Sequence, residues 1–302
     1  MKTRQLNVQK QSIGPIFARF FSSGVLKELA YNGHSVIAGR LAKQYKLFEQ
    51  FGSDMPVGKY YDAIFKRLVR EYRYEYIYKN AVAEKILLGI HNLNTSFMLT
   101  EFRADHCKAD AVVLNGTSHV YEIKSEKDNF DRLDRQITAY RKIFDNISVI
   151  TSEQLYEAVQ EKIPQEIGIM VLSDSGYKFR KKPYREPTSN RNNVVPVAIF
   201  NSLQRTEYLK IIKEIFHVSL AELPNTQIYK ESKKYFENLP PEVAHDKMVE
   251  VLKLRKNTRK VCEFVSAVPN SLKSSALSIR FTQEQRSRFI QLLIQDSATA
   301  FV

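Results

Sequence analysis

Three charged residues interrupt apolar runs of this sequence: Asp110 within ADAVVL, and Glu122 and Lys124 within VYEIK. Burying such charges is costly unless they are paired or hold a metal. Glu122 and Lys124 are two apart, so on a strand both project from one face, roughly 6.6 Å apart along it, while Ile123 points the other way. Two carboxylates and a backbone carbonyl, that of Ile123, make a hard oxygen site for Mg²⁺ or Mn²⁺. Such an ion polarises a scissile phosphate and lowers the pKa of a bound water. Lys124 would orient that water or stabilise the charge developing on the phosphate. The chemistry these parts suit is phosphodiester hydrolysis.

Whether Asp110 reaches the pair depends on the turn at Asn115-Gly116. A strict two-residue loop would set Asp110 opposite Tyr121 and leave the two carboxylates on opposite faces. A three-residue loop, or one bulge, brings Asp110 beside Glu122. An odd-numbered turn or a bulge is therefore predicted. Downstream, Gln136 and Tyr140 are four apart and share a helix face, where an amide and a phenol could stand over the site. Upstream, Glu84 lies in AVAEKI and faces either solvent or the same site. Glu101 ends a predicted strand, as a further ligand or a structural residue. His106 and Cys107 invite zinc, but no second pair stands at ligand spacing.

These residues need elements to hold them. Apolar positions at helical spacing, such as Phe17, Phe20, Leu26, Leu29 and Leu41, predict two helices ahead of a break at Gly52, Pro56 and Gly58. A helical stretch from Tyr60 carries Lys66, Arg67, Arg70 and Arg73. Another is predicted over 75–91, where alternating tyrosines (Tyr72 to Tyr78) either pack at a helix seam or stack on bases. Strands are predicted over 96–102, 109–114 and 118–124. A helix over 130–144 follows, capped by Asp128 or Asn129. Then come a strand over 147–151, a helix over 153–161, and strands over 167–172 and 177–180. Beyond Lys182 the chain is polar and proline-punctuated, then helical over 197–216, 226–238, 241–255 and 282–294. The result is an α/β fold with both sheet faces covered. It divides into an N-terminal helical region (1–70), the α/β core (71–185) and a C-terminal, mostly helical region (186–302).

The chain has 302 residues and a net charge of +13, with 43% hydrophobic and 26% charged residues. The charge points to a polyanionic partner. No apolar run approaches the roughly 18 residues of a membrane helix, and the first residues lack a secretory signal. Two cysteines without framework spacing fit a reducing cytoplasm. DNA, and not a membrane, is the expected partner. Lys253, Arg255, Lys256, Arg259 and Lys260 form a basic cluster, either solvated surface or a phosphate-contacting face.

Asp110, Glu122-x-Lys124 and Gln136-x-x-x-Tyr140, in that order, resemble the PD-(D/E)xK nuclease superfamily; the Gln-x-x-x-Tyr addition resembles its RecB-like branch, shared with phage exonucleases. The longer text YRYEYIYKN, KILLG, LNTSF, LTEF, KADAVVLNGTS, VYEIKSE and QITAYRKIFD is similar to a bacterial, often prophage-associated group. The similarity covers about residues 72–151. It implies a restriction-endonuclease-like mixed sheet core, αβββαβ, a divalent metal and DNA cleavage. By position it makes Asp110 and Glu122 metal ligands, Lys124 the catalytic lysine, and Glu84 the acidic residue of the first core helix, with Gln136 and Tyr140 completing the site. Ala109 stands where the family often has proline.

The favoured function is a metal-dependent deoxyribonuclease, with a role in phage defence or mobile-element biology that rests on the resemblance. The alternative is a DNA-binding module of the same fold without turnover, which metal binding would discriminate. A scaffold whose charge is incidental would show no salt-dependent binding to DNA. The C-terminal helices could pair two copies, read DNA or bind a protein partner.

Overall fold

The computed structural model describes residues 13–89, 96–182, 184–255 and 258–302. It has two compact units, one of Met1–Tyr72 with Phe281–Val302 and one of Arg73–Arg280.

The first unit is helical. From the N-terminal side it takes Gly14–Phe20, Ser23–Asn32, Val36–Gln44, Leu47–Phe51 and Val57–Glu71, and from the C-terminal side Gln283–Leu293 and Ser297–Ala300. Ser22 and Ser35 start two of these helices by accepting from the N–H groups of Val25 and Ala38. The centre is aromatic: Tyr60 is buried against Phe20, Phe51 and Phe301, with ring centroids 6.2, 5.3 and 5.1 Å away. Because Phe301 belongs to that cluster, the chain end is drawn into this unit. The C-terminal region expected as one piece over 186–302 thus divides at Arg280.

The second unit is built on a five-stranded mixed sheet. β1 (Phe97–Ala104), β2 (Cys107–Leu114), β3 (Ser118–Lys124), β4 (Asn146–Ser152) and β5 (Gly168–Leu172) neighbour one another in chain order. The first two pairings are antiparallel and the last two parallel. A parallel pair needs a crossover, and the helices Leu133–Arg141 and Tyr156–Lys162 supply them. With the helix Glu75–Ala81 in front, the order reads α-β-β-β-α-β, followed by a further helix and strand. β4 is buried along nearly its whole length, as a strand covered on both faces should be. Further helices, Pro196–Ser202, Arg205–Phe216, Asn225–Glu237 and Pro241–Lys253, contribute Phe200, Ile211, Phe236 and Met248 to the same core as Val120, Tyr140 and Val149. The hydrophobic core therefore continues past the expected boundary at 185. No helix among the described residues is long and apolar enough to cross a membrane.

Several elements differ from expectation. The helix expected over 75–91 is α-helical to Ala81 and a π-helix over Val82–Leu87; its end lies outside the described residues. Strand β1 does not stop at Glu101 but runs to Ala104. Asp128 does not cap the next helix: its Oδ2 accepts from the N–H and hydroxyl of Ser125, closing the turn after β3. The strand expected over 177–180 is reduced to one bridge, Leu172 to Phe179. The helix expected over 197–216 breaks where Gln204 and Glu207 form a capping box. Helices Thr258–Ala267 and Lys273–Ser278 were not expected. Tyr78 is buried, and the Tyr76 hydroxyl donates to the Ser271 carbonyl at 2.8 Å, so these tyrosines pack against neighbouring structure.

Candidate active site

The hairpin between β2 and β3 closes with a three-residue loop, Asn115, Gly116 and Thr117. The register runs from Leu114 opposite Ser118 to Ala111 opposite Tyr121. Gly116 sits at φ +74°, a left-handed conformation that glycine adopts without penalty. The next rung of that register sets Asp110 opposite Glu122. There the regular ladder stops, and the Ile123 N–H donates at 2.8 Å to Asp110 Oδ2, a side-chain oxygen in place of a strand carbonyl. On the other side of β2, the pairs Thr100–Ala111 and Phe102–Ala109 flank a rung on which Glu101 faces Asp110. Glu101 is at φ +53°, a strained setting for a non-glycine residue in a strand. Three carboxylates thus share one rung across three strands.

Glu122 and Lys124 are almost wholly buried, at 1% and 5% exposure. Each is partnered. Lys124 Nζ donates to Glu122 Oε1 at 2.9 Å and to Gln136 Oε1 at 3.0 Å. The Tyr140 hydroxyl donates to Glu122 Oε2 at 2.6 Å and lies 3.1 Å from the Lys108 carbonyl. The helix Leu133–Arg141 delivers both partners because Leu133, Ile137 and Tyr140 on its inner face are buried against the sheet, and Gln136 stands one turn before Tyr140.

The helix Glu75–Ala81 adds two residues that the sequence reading did not select, Glu75 and Lys79. Glu75, Glu101 and Asp110 each offer a carboxylate oxygen within 4.8 Å of the others. Lys79 Nζ is ion-paired with Glu75 and with Glu101 and lies 3.8 Å from Asp110 Oδ1. The one signal for this in the sequence was the i,i+4 spacing of Glu75 and Lys79 in EYIYK. Glu84 does not join them. It pairs with Lys85 and lies 3.5 Å from Asn270 Nδ2. Glu84 lies nine positions beyond Glu75, in the π-helical segment Val82–Leu87 and not in the α-helix that carries Glu75 and Lys79.

A cavity of about 420 Å³ takes in the cluster, and its lining includes Glu75, Glu101 and Asp110 together with Lys108, Arg132 and Arg135. Burial, then repulsion from Glu122 and Glu75, holds the Asp110 carboxyl well above the usual carboxylate range, against the pull of Lys79 and the Ile123 N–H. Burial raises Glu122 as well, opposed by Lys124 and the Tyr140 hydroxyl. Burial would depress the Lys79 ammonium, but Glu75, Asp110 and Glu101 together push its pKa up.

Other candidates lie apart from this chemistry. In the basic cluster, Arg255 is held by Glu207 at 2.5 and 2.7 Å and stacks over Phe102, so it is not free for phosphate; Lys256 and the side chains of Arg259 and Lys260 lie outside the described residues. His106 is exposed beside buried Cys107, and no second ligand pair of the zinc type accompanies them among the described residues. A further chain, Ser118–His245–Asp246, has the residue types of a hydrolase relay, with contacts of 2.8 and 3.2 Å. Ser118 and His245 are both fully buried, so no substrate reaches them.

The chain belongs to the bacteriophage P4 protein cII family, whose model matches residues 69–279, nearly the whole of the second unit. It is 24% identical over 75 residues to protein cII of Enterobacteria phage P4; the alignment covers 25% of this chain and 28% of that protein. That relationship is consistent with a prophage origin. A solved structure of a protein of unknown function from Silicibacter pomeroyi is similar to 47% of this chain and 93% of its own, with 17% identity and a TM-score of 0.31.

Proposed function

We propose that this protein is a metal-dependent nuclease of the PD-(D/E)xK type that hydrolyses phosphodiester bonds in DNA. The observation that carries the reading is the convergence of Gln136 and Tyr140 on the Glu122–Lys124 pair, with Asp110 on the same rung as Glu122. The α-β-β-β-α-β order with an antiparallel start fits the restriction-endonuclease-like core that the motif implies. The +13 net charge fits a nucleic-acid partner.

The donor set suits a hard divalent cation such as Mg²⁺ or Mn²⁺: all oxygen and all carboxylate, with Asp110 raised first by burial and then by its acidic neighbours. Asp110 and Glu122 would hold it, with Glu75 and Glu101 adjacent. When bound, such an ion supplies Lewis acidity to the scissile phosphate and acidity to a water. Glu122 can still coordinate, because each of its oxygens has a second lone pair beyond the bonds from Lys124 and Tyr140. Lys124 has three N–H donors; two are held by Glu122 and Gln136, and the third is left for a water or a phosphate oxygen. Two fixed acceptors keep that ammonium aimed, so no reorganisation is needed as charge develops.

The test is cleavage of linear, circular and single-stranded DNA with and without Mg²⁺ or Mn²⁺, beside Lys124→Ala. Metal-dependent cutting that is lost in the variant supports the nuclease. Metal-independent binding with all substrates left intact would favour a DNA-binding module without turnover.

A further inference from the structure

The cavity at the carboxylates carries two signs of charge. Its lining includes three clustered carboxylates, Glu75, Glu101 and Asp110, and three cations, Lys108, Arg132 and Arg135. Opposite charges this close ordinarily pair. Here the carboxylates take Lys79 and the Ile123 N–H instead. Arg132 and Arg135 are exposed, and no ion pair or side-chain hydrogen bond holds either one among the described residues. Elsewhere in the same unit, Arg73, Arg141, Arg180, Arg191 and Arg255 are each held by a carboxylate. Arg103 and Arg280 also lack a carboxylate partner, but among the described residues only Arg132 and Arg135 of the unpaired arginines line the cavity.

Their placement is also specific. Arg132 immediately precedes the helix Leu133–Arg141 and Arg135 lies in its first turn, next to Gln136, which holds Lys124. The two arginines are three positions apart, a rise of roughly 4.5 Å. The helix that holds the lysine therefore also sets where the two arginine side chains start relative to it. A guanidinium presents a planar fork of donors that matches phosphate oxygens.

We infer that Arg132 and Arg135 form a phosphate-binding wall that seats the backbone of one nucleic-acid strand over the carboxylates, with Lys108 beside them. Resting on the nuclease reading, this adds which residues receive the strand. They are positioning residues: they hold phosphates next to the one that reacts, and Lys124 stays at the reaction itself. The carboxylates alone would repel the strand; the wall offsets that repulsion and confines the strand to one track. Inorganic phosphate would engage the same donors, but a polymer presents successive phosphates to both.

The experiment measures binding of a labelled oligonucleotide, single- and double-stranded, in Ca²⁺, with inorganic phosphate as competitor, across about 50 to 200 mM salt. Affinity should fall linearly with salt on logarithmic axes. Arg132→Ala and Arg135→Ala should each reduce that slope by about 0.7 to 0.9, the loss of one phosphate contact. Lys230→Ala, an exposed lysine on the helix Asn225–Glu237, removes the same charge and should leave the slope unchanged. The inference is overturned if the double arginine variant keeps the wild-type slope, or if Lys230→Ala reduces it equally. It is overturned for a strand, in favour of a free-anion site, if inorganic phosphate at low millimolar concentration displaces the oligonucleotide completely. Cleavage in Mg²⁺ is scored separately. Arginine-dependent binding without cutting would retain the wall and reject hydrolysis; cutting with arginine-independent binding would do the reverse.

Discussion

Asp110 and Glu122 stand opposite each other because the loop between their strands has three residues and not two. Shifting the pairing by one residue would turn Asp110 to the other face of the sheet. Gly116, at φ +74° with open space around its Cα, is the residue that lets this loop close. Gly116→Ala meets no atom but must hold a left-handed backbone, which costs about 1–2 kcal/mol. A urea midpoint lowered accordingly, with cleavage at saturating metal retained, is the expected result. An unchanged midpoint would show that the loop does not depend on this conformation.

Tyr140→Phe removes the hydroxyl that donates to Glu122 Oε2 inside a buried site. Leaving a buried carboxylate oxygen short of a donor costs about 1–3 kcal/mol. Denaturation should report that loss. Cleavage should fall less than in Lys124→Ala, since the phenol supports the carboxylate while the lysine faces the reaction. Equal loss in both variants would assign Tyr140 a direct part.

Glu75 and Glu84 offer a clean contrast. Glu75 lies with Glu101 and Asp110, whereas Glu84 pairs with Lys85. Glu75→Gln should weaken Mn²⁺ binding, measured by calorimetry, and slow cleavage, while Glu84→Gln should change neither. The opposite pattern would restore the assignment implied by the family motif.

The sheet and the central pair were legible in the sequence because their signals are local. The apolar run delimits strand β3 at Ser118–Lys124, and requiring Asp110 and Glu122 to meet demands an odd-numbered turn or a bulge, of which the structure has the three-residue loop. The Gln136 and Tyr140 spacing likewise survives folding, since it depends only on helical periodicity. Glu75 was missed because the text around it is dominated by tyrosines and its partners, Glu101 and Asp110, lie on two strands beyond. Glu84 was selected for its apolar neighbours, which bury the helix without saying which face meets the site. The return of Phe301 to the first unit had no local signal at all, because that contact joins the two ends of the chain.

Metal binding should release protons. Burial and neighbouring carboxylates raise Asp110, and burial raises Glu122, so the metal-free site retains protons at pH values where ordinary carboxylates have lost them. A cation must displace them. Affinity should therefore rise with pH from the ordinary carboxylate range up to the raised values, by at most about tenfold per pH unit for each proton displaced. Calorimetry in two buffers of different ionisation enthalpy checks this. Buffer-independent heats would place the cation on carboxylates that are already ionised.

His245 sets a second pH dependence, on stability and not on activity. Its Nδ1 contacts Asp246 and its Nε2 contacts the Ser118 hydroxyl, which accepts from the Asp145 N–H. Desolvation lowers its pKa from 6.5, although Asp246 and Asp145 pull the other way and Arg191 adds to the fall. The folded protein thus binds this proton less readily than the unfolded chain. The contribution is fully present above about 6.5 and is lost as pH falls below it. Asp110 and Glu122, with raised values, act in the opposite direction, so the variant comparison is what isolates the histidine. His245→Asn should flatten the decline in urea midpoint between about pH 6.5 and 5, the range in which an unshifted histidine would charge. If the wild type and His245→Asn decline in parallel there, the buried ring is not the group being titrated.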